Sequence, residues 1–199
     1  MRKSKFLLVI LAIILFSSPL LAKGRGYSQT YLKQWDAILE ASKKYSLNPF
    51  LLWAVISVES EFSSPYVIGV DKGPRVHKAL KKLSGKARFV VRPMSPTRIA
   101  IYPSTHDDGV KVVRVLEAAG AVFDVGLGQI NNRTARAFGI DPAMLLDAKT
   151  NITFTAFYLR RVIDRHGSDR VWRYNGSPTY RRKLLARLEA VNSYISRVE

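Results

Sequence analysis

Cysteine is absent from this 199-residue chain, and histidine occurs only three times. The lack of cysteine excludes disulfide bonds, thiolate metal sites and a cysteine nucleophile. The histidines, His77, His106 and His166, lie far apart in the sequence and lack the spacing of metal ligands. We therefore expect them to be surface or structural residues, and we expect neither a metal nor another cofactor.

Acidic residues are scarce: 15 oppose 32 lysines and arginines, which gives a net charge of +17. Such a charge favours an anionic partner, which could be nucleic acid, a membrane surface or an acidic polymer such as a cell wall. The basic residues are scattered as pairs and triplets through predicted helices, and no basic stretch is interleaved with aromatics as in single-strand-binding proteins. Nucleic acid is therefore the weakest of these candidates, and we expect no nucleic-acid partner.

The one long apolar run, Phe6–Phe16, follows a positively charged start and ends before Pro19. This pattern predicts a signal peptide over residues 1–22, cleavage after Ala22 and an exported, periplasmic domain over residues 23–199. A membrane-spanning helix needs about twenty apolar residues, so the eleven-residue run Phe6–Phe16 favours a signal peptide over a membrane span. An uncleaved membrane anchor is the alternative for this segment.

The segment Pro49–Glu61 is apolar over most of its length and predicts a buried helix, with Asn48 as the N-cap. Helical spacing places Glu59 on the same face as Leu52 and Ile56. Burial and the negative end of the helix dipole both raise a carboxyl pKa above its usual value of about 4.3, as a general acid requires. The alternative is a glutamate that turns outward into water at a helix end.

The rest of the chain predicts a mainly α fold of the α+β type. Helices are predicted at Ser28–Tyr45, Thr105–Ala119, Asn132–Phe138, Pro142–Leu146, Asn151–His166, Ser168–Tyr174 and from Pro178 onward. Short β-type runs occur at Tyr66–Val70, Arg88–Arg92 and Arg98–Tyr102. Residues 63–122 are therefore interpreted as a small β-containing insertion with one helix, at the edge of a cleft.

Three short segments follow one another along the chain and together suggest a family: Glu59-Ser60, the glycine loop Gly126–Asn131 (GLGQIN) and Tyr174-Asn175-Gly176. A predicted helix between the last two carries Asn151-Ile152 and Tyr158-Leu159. This arrangement resembles the catalytic domain of the soluble lytic transglycosylases, which are lysozyme-like enzymes that cleave peptidoglycan. The resemblance covers residues 30–62 and 122–195.

The resemblance implies a lysozyme-like helical fold and a reaction with a single carboxylate. Glu59 would be the catalytic acid and base, and cleavage between N-acetylmuramic acid and N-acetylglucosamine would leave a 1,6-anhydromuramic end. The residues implied to shape the sugar site are Ser60, Gly126, Gly128, Gln129, Asn131, Tyr158, Tyr174 and Asn175. Tyr174 would orient Glu59 or stabilise positive charge, and the backbone around Gly126 and Gly128 would contribute hydrogen-bond donors.

Two departures from the family pattern stand out. The family's methionine in the glycine loop is Gly128 here, so a side chain that lines the cleft is missing. The insertion is longer than in common members, and the block that ends Phe123–Gly126 looks like variants associated with conjugation and mobile elements. This likeness implies an envelope-spanning conjugation or secretion apparatus as a partner, besides the peptidoglycan strands.

Two other functions remain open on the sequence alone. A muramidase would hydrolyse the same bond with a second carboxylate, for which Glu61 and Asp124 are the candidates; an inverting enzyme would hold it about 6.5–9.5 Å from Glu59. The other alternative is an inactive lysozyme-like module that docks on the wall as a scaffold.

Overall fold

The computed structural model describes the backbone of residues 27–198 and the side chains of residues 34–177 and 179–190. The predicted signal peptide lies outside the described residues. The chain divides into two compact units: one comprises the residues up to Val58 and those from Ala156 onward, and the other is Glu59–Thr155. No helix in the described part of the chain has the length and hydropathy that a bilayer crossing requires.

The helices in chain order are α1 (Tyr27–Lys44), α2 (Pro49–Ser60), α3 (Pro74–Lys81), α4 (His106–Ala118), α5 (Asn132–Ala137), α6 (Ala148–His166) and α7 (Pro178–Val198), with 3-10 helices at Pro142–Leu146 and Ser168–Tyr174. The strands are β1 (Ile68–Asp71), β2 (Phe89–Pro93), β3 (Arg98–Pro103), β4 (Phe123–Val125) and β5 (Ile130–Asn131). The predicted mainly α fold with a small sheet is confirmed.

In the first unit, α2 begins as predicted. The side-chain oxygen of Asn48 accepts a hydrogen bond from the Phe50 amide at 2.8 Å, which satisfies one free donor of the first turn. Trp35 of α1 packs against Phe50 of α2, with ring centroids 5.7 Å apart. The helix ends at Ser60, one residue earlier than predicted, because Glu61 has a positive φ of 50°.

The second unit contains an antiparallel sheet with strand order β2-β3-β1-β4-β5. Ile68 of β1 pairs with Ile101 of β3 on one side and with Val125 of β4 on the other. All three side chains are fully buried. The sheet therefore runs past the predicted boundary of the insertion at residue 122, into the two strands that flank the glycine loop. Strands β4 and β5 have three and two residues, too short to show the alternation that predicts a strand.

The prediction of one helix in the insertion is wrong, because α3 is a second one. Pro74 occupies its first turn, and Val76 and Ala79 form its buried face. The Gly73-Pro74 pair is typical of a turn, and two helical turns are too few to establish a 3.6-residue period. A proline at the first helical position ahead of spaced apolar residues was the available signal.

An ion-pair network ties α4 to the segment after α5. Arg114 bonds Asp141 at 2.5 Å and Glu117 at 3.0 Å, and Arg136 bonds Glu117 at 2.8 Å. Asp141 also accepts a hydrogen bond from the Ala143 amide at 3.0 Å, as the N-cap of the 3-10 helix. The hydrogen bond from Arg114 is the main reason that the pKa of Asp141 is lowered.

Candidate active site

Glu59 lies in the last turn of α2, on the buried face that the sequence predicted. Leu52, Val55 and Ile56 on this helix are fully buried. Glu59 as a whole is half-buried, and its Oε1 atom is shielded from solvent. The side chain therefore does not turn outward into water, and desolvation acts on the carboxyl group as a general acid requires.

The turn after Glu59 is unusual because Glu61 and Phe62 both have positive φ angles, of 50° and 52°. The Ser60 hydroxyl accepts a hydrogen bond from the Phe62 amide at 3.3 Å, and the Ser60 carbonyl accepts one from the Ser63 amide at 2.9 Å. The Phe62 side chain is buried, which offsets the cost of the backbone conformation. Glu61 is exposed, so this carboxylate does not share the environment of Glu59.

The two glycines of the loop are fixed by their own packing. The Gly126 amide donates to the Val67 carbonyl at 2.8 Å, and the Gly128 amide donates to Asn151 Oδ1 at 2.7 Å. A Cβ atom at Gly128 would collide with the hydroxyl of Thr155. Both amides are thus committed within the protein, so they are not among the donors predicted for the backbone around these two glycines. The absence of the family's methionine has a physical reason, since α6 leaves no room for a side chain.

Asn151 of α6 anchors the glycine loop through its side-chain amide. Its Nδ2 atom donates to the carbonyls of Val125 and Leu145, each at 2.9 Å, and its Oδ1 atom accepts the Gly128 amide. The side chain is fully buried. Sequence reasoning quoted Asn151 only as part of a motif and did not place it in the site. An asparagine inside an apolar helix was the signal, because a buried amide needs partners.

The next two predicted site residues also form internal hydrogen bonds. Gln129 has a positive φ of 46°, and its Nε2 atom donates to the Gly126 carbonyl at 2.8 Å. Asn131 caps α5 by accepting from the Arg133 amide at 3.1 Å. These bonds fix the orientation of both side chains, and their contacts with a sugar remain predictions.

Asp124, the candidate second carboxylate, has both oxygens engaged. Arg98 of β3 donates to Oδ2 at 2.6 Å, and Asn131 donates to Oδ1 at 2.9 Å. Arg98 also reaches Asp71 at 3.5 Å. The insertion therefore supplies a charge that neutralises Asp124 beside the glycine loop. Sequence reasoning missed Arg98, because its partner lies 26 residues away and only the sheet register brings them together.

The remaining predicted residues lie in the first unit. The rings of Tyr158 and Tyr174 meet edge to face, with centroids 5.6 Å apart, so the structure brings together two of the residues that the resemblance assigns to the sugar site. Tyr180 of α7 stacks on Tyr174 at 6.5 Å and extends this aromatic cluster. The sequence did not predict Tyr180 as part of this cluster, although it was visible as an aromatic residue near the start of an amphipathic helix. Asn175 is exposed at the end of the 3-10 helix.

The three histidines are exposed, so the prediction of surface positions is confirmed. Partial desolvation by neighbouring atoms is the first cause of the lowered pKa of His166, although its side chain is exposed, and the nearby charges of Arg173, Arg165 and Arg170 follow. Among the described residues, no three side chains of the metal-binding types come together.

A mainly helical domain with a small antiparallel sheet and a shielded glutamate at the end of its most apolar helix defines the class of lysozyme-like enzymes that act on glycan strands. A family model described as the transglycosylase SLT domain matches residues 36–194. The chain therefore belongs to this family and is a lytic transglycosylase, a lyase that acts on peptidoglycan. Neither a curated protein nor a solved structure matches the chain significantly.

Proposed function

We propose that this protein cleaves the β-1,4 bond between N-acetylmuramic acid and N-acetylglucosamine and leaves a 1,6-anhydromuramic end, with Glu59 as the only catalytic carboxylate. The observation that carries the proposal is the shielded Oε1 atom of Glu59 at the end of the buried face of α2. Removal from water favours the protonated carboxyl group, which can donate a proton to a leaving oxygen.

The reaction proceeds in two proton transfers. Protonated Glu59 donates its proton to the glycosidic oxygen, the bond from this oxygen to C1 of the muramic residue breaks, and the N-acetylglucosamine 4-hydroxyl leaves. The Glu59 carboxylate then removes the proton of the muramic 6-hydroxyl, whose oxygen forms the new bond to C1. Glu59 ends protonated as it began, and water is not consumed.

We assign eight residues besides Glu59 to the sugar site. Tyr174 orients Glu59 or stabilises the positive charge that develops at C1, and Tyr158 supports the ring of Tyr174 through their edge-to-face contact. The further contacts with sugar hydroxyl and acetamido groups come from Ser60, Gln129, Asn131 and Asn175. Gly126 and Gly128 shape this site through the path of the backbone.

The hydrolytic alternative requires a second carboxylate that activates water. Asp124 is held by Arg98 and Asn131, and Glu61 is exposed to solvent. A carboxylate that activates water needs an oxygen available to the water, and both oxygens of Asp124 already accept hydrogen bonds within the protein. The partners of Asp124 and the family assignment therefore both favour the lyase over the muramidase.

The products of wall digestion test the proposal. Purified sacculi are treated with the protein and with Glu59→Gln, and the released muropeptides are weighed by mass spectrometry. We expect anhydro-ended fragments, one water lighter than reducing-end fragments, and a rate about 10²–10⁴-fold lower for Glu59→Gln because the general acid is lost.

Glu61→Gln is the matched control, since it makes the same change two residues away at an exposed position, and it should keep most of the activity. Reducing-end products would contradict the proposal and make Asp124 the next residue to change. Full cellular function of Glu59→Gln would instead support the inactive docking module.

We further propose that the protein is exported by residues 1–22 and opens the wall locally for a conjugation or secretion apparatus. Domains of this family are typically periplasmic, and the apolar run Phe6–Phe16 has the length of a signal sequence. The apparatus rests on the likeness of the insertion to mobile-element variants. Periplasmic fractionation and N-terminal sequencing test the export, with a start at Lys23 as the expected result.

A further inference from the structure

The outer strand of the sheet, β2, has one side without a neighbouring strand among the described residues. The strand order places β2 at the end of the sheet, with β3 on its inner side. Free backbone donors and acceptors along such an edge can pair with another extended chain. The direction of each backbone group follows from the register.

The residues of β2 that face outward are the odd-numbered ones. The Arg88 carbonyl accepts from the Ser104 amide at 2.9 Å, and the Met94 amide donates to the Arg98 carbonyl at 3.0 Å. In an antiparallel pair, residues alternate between those bonded to the neighbour and those that point away. Phe89 and Val91 therefore direct their N–H and C=O groups outward, and Pro93 adds a carbonyl without a donor.

The side chains of this edge are unusually apolar for a surface. Val90 and Val91 are 54% and 42% exposed, and Met94 just beyond the strand is 53% exposed. Natural edge strands are normally protected from pairing by charge, proline or a covering element. Here the protection consists of Pro93 at one end and of the exposed Arg88 and Arg92, and it leaves the centre of the strand open.

The positive charge along β2 indicates what kind of strand could pair with it. The alternation of a strand places Arg88, Val90 and Arg92 on one face, and Arg92 lies over the Tyr102 ring at 5.2 Å. Pairing of two copies of β2 would bring together two chains in which basic residues far outnumber acidic ones. An acidic strand gains attraction instead, with carboxylates opposite the two arginines and apolar side chains between them.

We propose that β2 is a docking edge for an extended, acidic segment of another protein, which joins the sheet as a sixth strand. The incoming strand bonds the backbone of Phe89 and Val91, covers Val90 and Val91, and places acidic residues against Arg88 and Arg92. This function is independent of bond cleavage, because none of these residues belongs to the catalytic or sugar-binding set.

The test uses the full protein and an acetylated, amidated peptide with three consecutive valines between two glutamates. We expect the amides of Phe89 and Val91 to gain protection from hydrogen exchange in its presence. N-methylation of the first and third valines, whose amides would face β2, should weaken binding about tenfold or more, whereas methylation of the central valine, which would face away, should have little effect.

Two pairs of variants locate the site. Val91→Pro removes the outward N–H at a position where an edge strand tolerates proline, and Val91→Ala removes side-chain atoms but keeps that donor. We expect about a tenfold or greater loss of affinity for the first and a small loss for the second. Arg92→Glu should weaken binding of the glutamate peptide and allow binding of a peptide whose glutamates are replaced by lysine. Arg75→Glu, an equal charge change on α3, should change the binding of neither peptide.

The cleavage of sacculi should be unchanged in Val91→Pro, which shows that this variant is folded. Equal binding by Val91→Pro and Val91→Ala, protection at other amides, or no binding of the acidic peptide would each overturn the proposal. So would dimerisation of the protein through β2, detected by analytical ultracentrifugation and abolished by Val91→Pro, because the occupant would then be a second copy.

Discussion

Gly128 shows how a neighbour on another element decides the type of a single residue. Its Cβ position is occupied by the hydroxyl of Thr155, a fully buried residue of α6, and its amide donates to Asn151. Glycine is therefore required at this position because the loop and α6 approach each other closely. This reason differs from the one that the motif suggested, which was access of the backbone to a sugar.

Gly128→Ala should lower the free energy of unfolding by about 1–3 kcal/mol, because the new methyl group overpacks a buried contact. The measurement is equilibrium unfolding in urea. In combination with Thr155→Ala, which removes the colliding hydroxyl, the loss should be smaller than the sum of the two single losses by about 0.5 kcal/mol or more.

Thr155→Ser is the control for this pair, since it retains the hydroxyl and removes only a methyl group. It should not relieve Gly128→Ala. Strict additivity of Gly128→Ala with Thr155→Ala would show that another contact makes glycine necessary at this position.

Among the elements, the glycine loop is held from two directions by parts of the chain that the motif does not include. Helix α6 contributes Asn151, which accepts from the Gly128 amide in the loop and donates to the carbonyls of Val125, just before the loop, and of Leu145. Strand β3 contributes Arg98, which bonds Asp124 just before the loop. The insertion is thus part of the frame of the candidate site, because its sheet continues into β4 and β5.

Asn151→Ala should destabilise the protein by about 3 kcal/mol or more, because one amide and two carbonyl groups would lose their partner in the interior. Urea unfolding of the purified variant measures the loss. Asn151→Asp gives an informative comparison, since it keeps an acceptor for the Gly128 amide but brings carboxylate oxygens against the carbonyls of Val125 and Leu145. A loss well below 1 kcal/mol for Asn151→Ala would show that the loop does not depend on this anchor.

At the scale of the whole molecule, the excess of basic residues makes stability sensitive to acid. Each of the 15 acidic residues that gains a proton makes the net charge more positive, and the self-repulsion of the folded chain grows. The few ion pairs therefore matter most as pH falls. Asp141 is the clearest case, because its hydrogen bond from Arg114 lowers its pKa below the usual 3.8.

Because the folded-state pKa of Asp141 is lowered, its contribution to stability is present above the unfolded-state pKa and is lost as pH falls through the folded-state value. Asp141→Asn should therefore melt at a lower temperature than the parent protein near neutral pH, and the difference should shrink as the pH falls below the usual carboxyl pKa of 3.8. Melting curves over a pH series give the comparison. Asp36→Asn, a change at an exposed position, should follow the parent curve, and a constant gap for Asp141→Asn would contradict the linkage.

The sequence by itself determined the main helices, the position of Glu59 and the family. Helix α2 followed from nine residues of apolar sequence behind Asn48 and Pro49, because caps and apolar periodicity are local signals. The cap of α4 is another local signal: Thr105 accepts from the Asp108 amide at 3.2 Å, as its type predicted.

Only the tertiary structure decided how the glycine loop is held. Asn151 reaches Gly128 across 23 residues, and Arg98 reaches Asp124 across 26. Such partners depend on strand register and on the approach of a helix to a loop, which no local pattern specifies. The sequence therefore predicted the candidate site residues, whereas packing decided that two glycine amides are occupied, that Asp124 is paired with Arg98 and that β2 lacks a second neighbouring strand among the described residues.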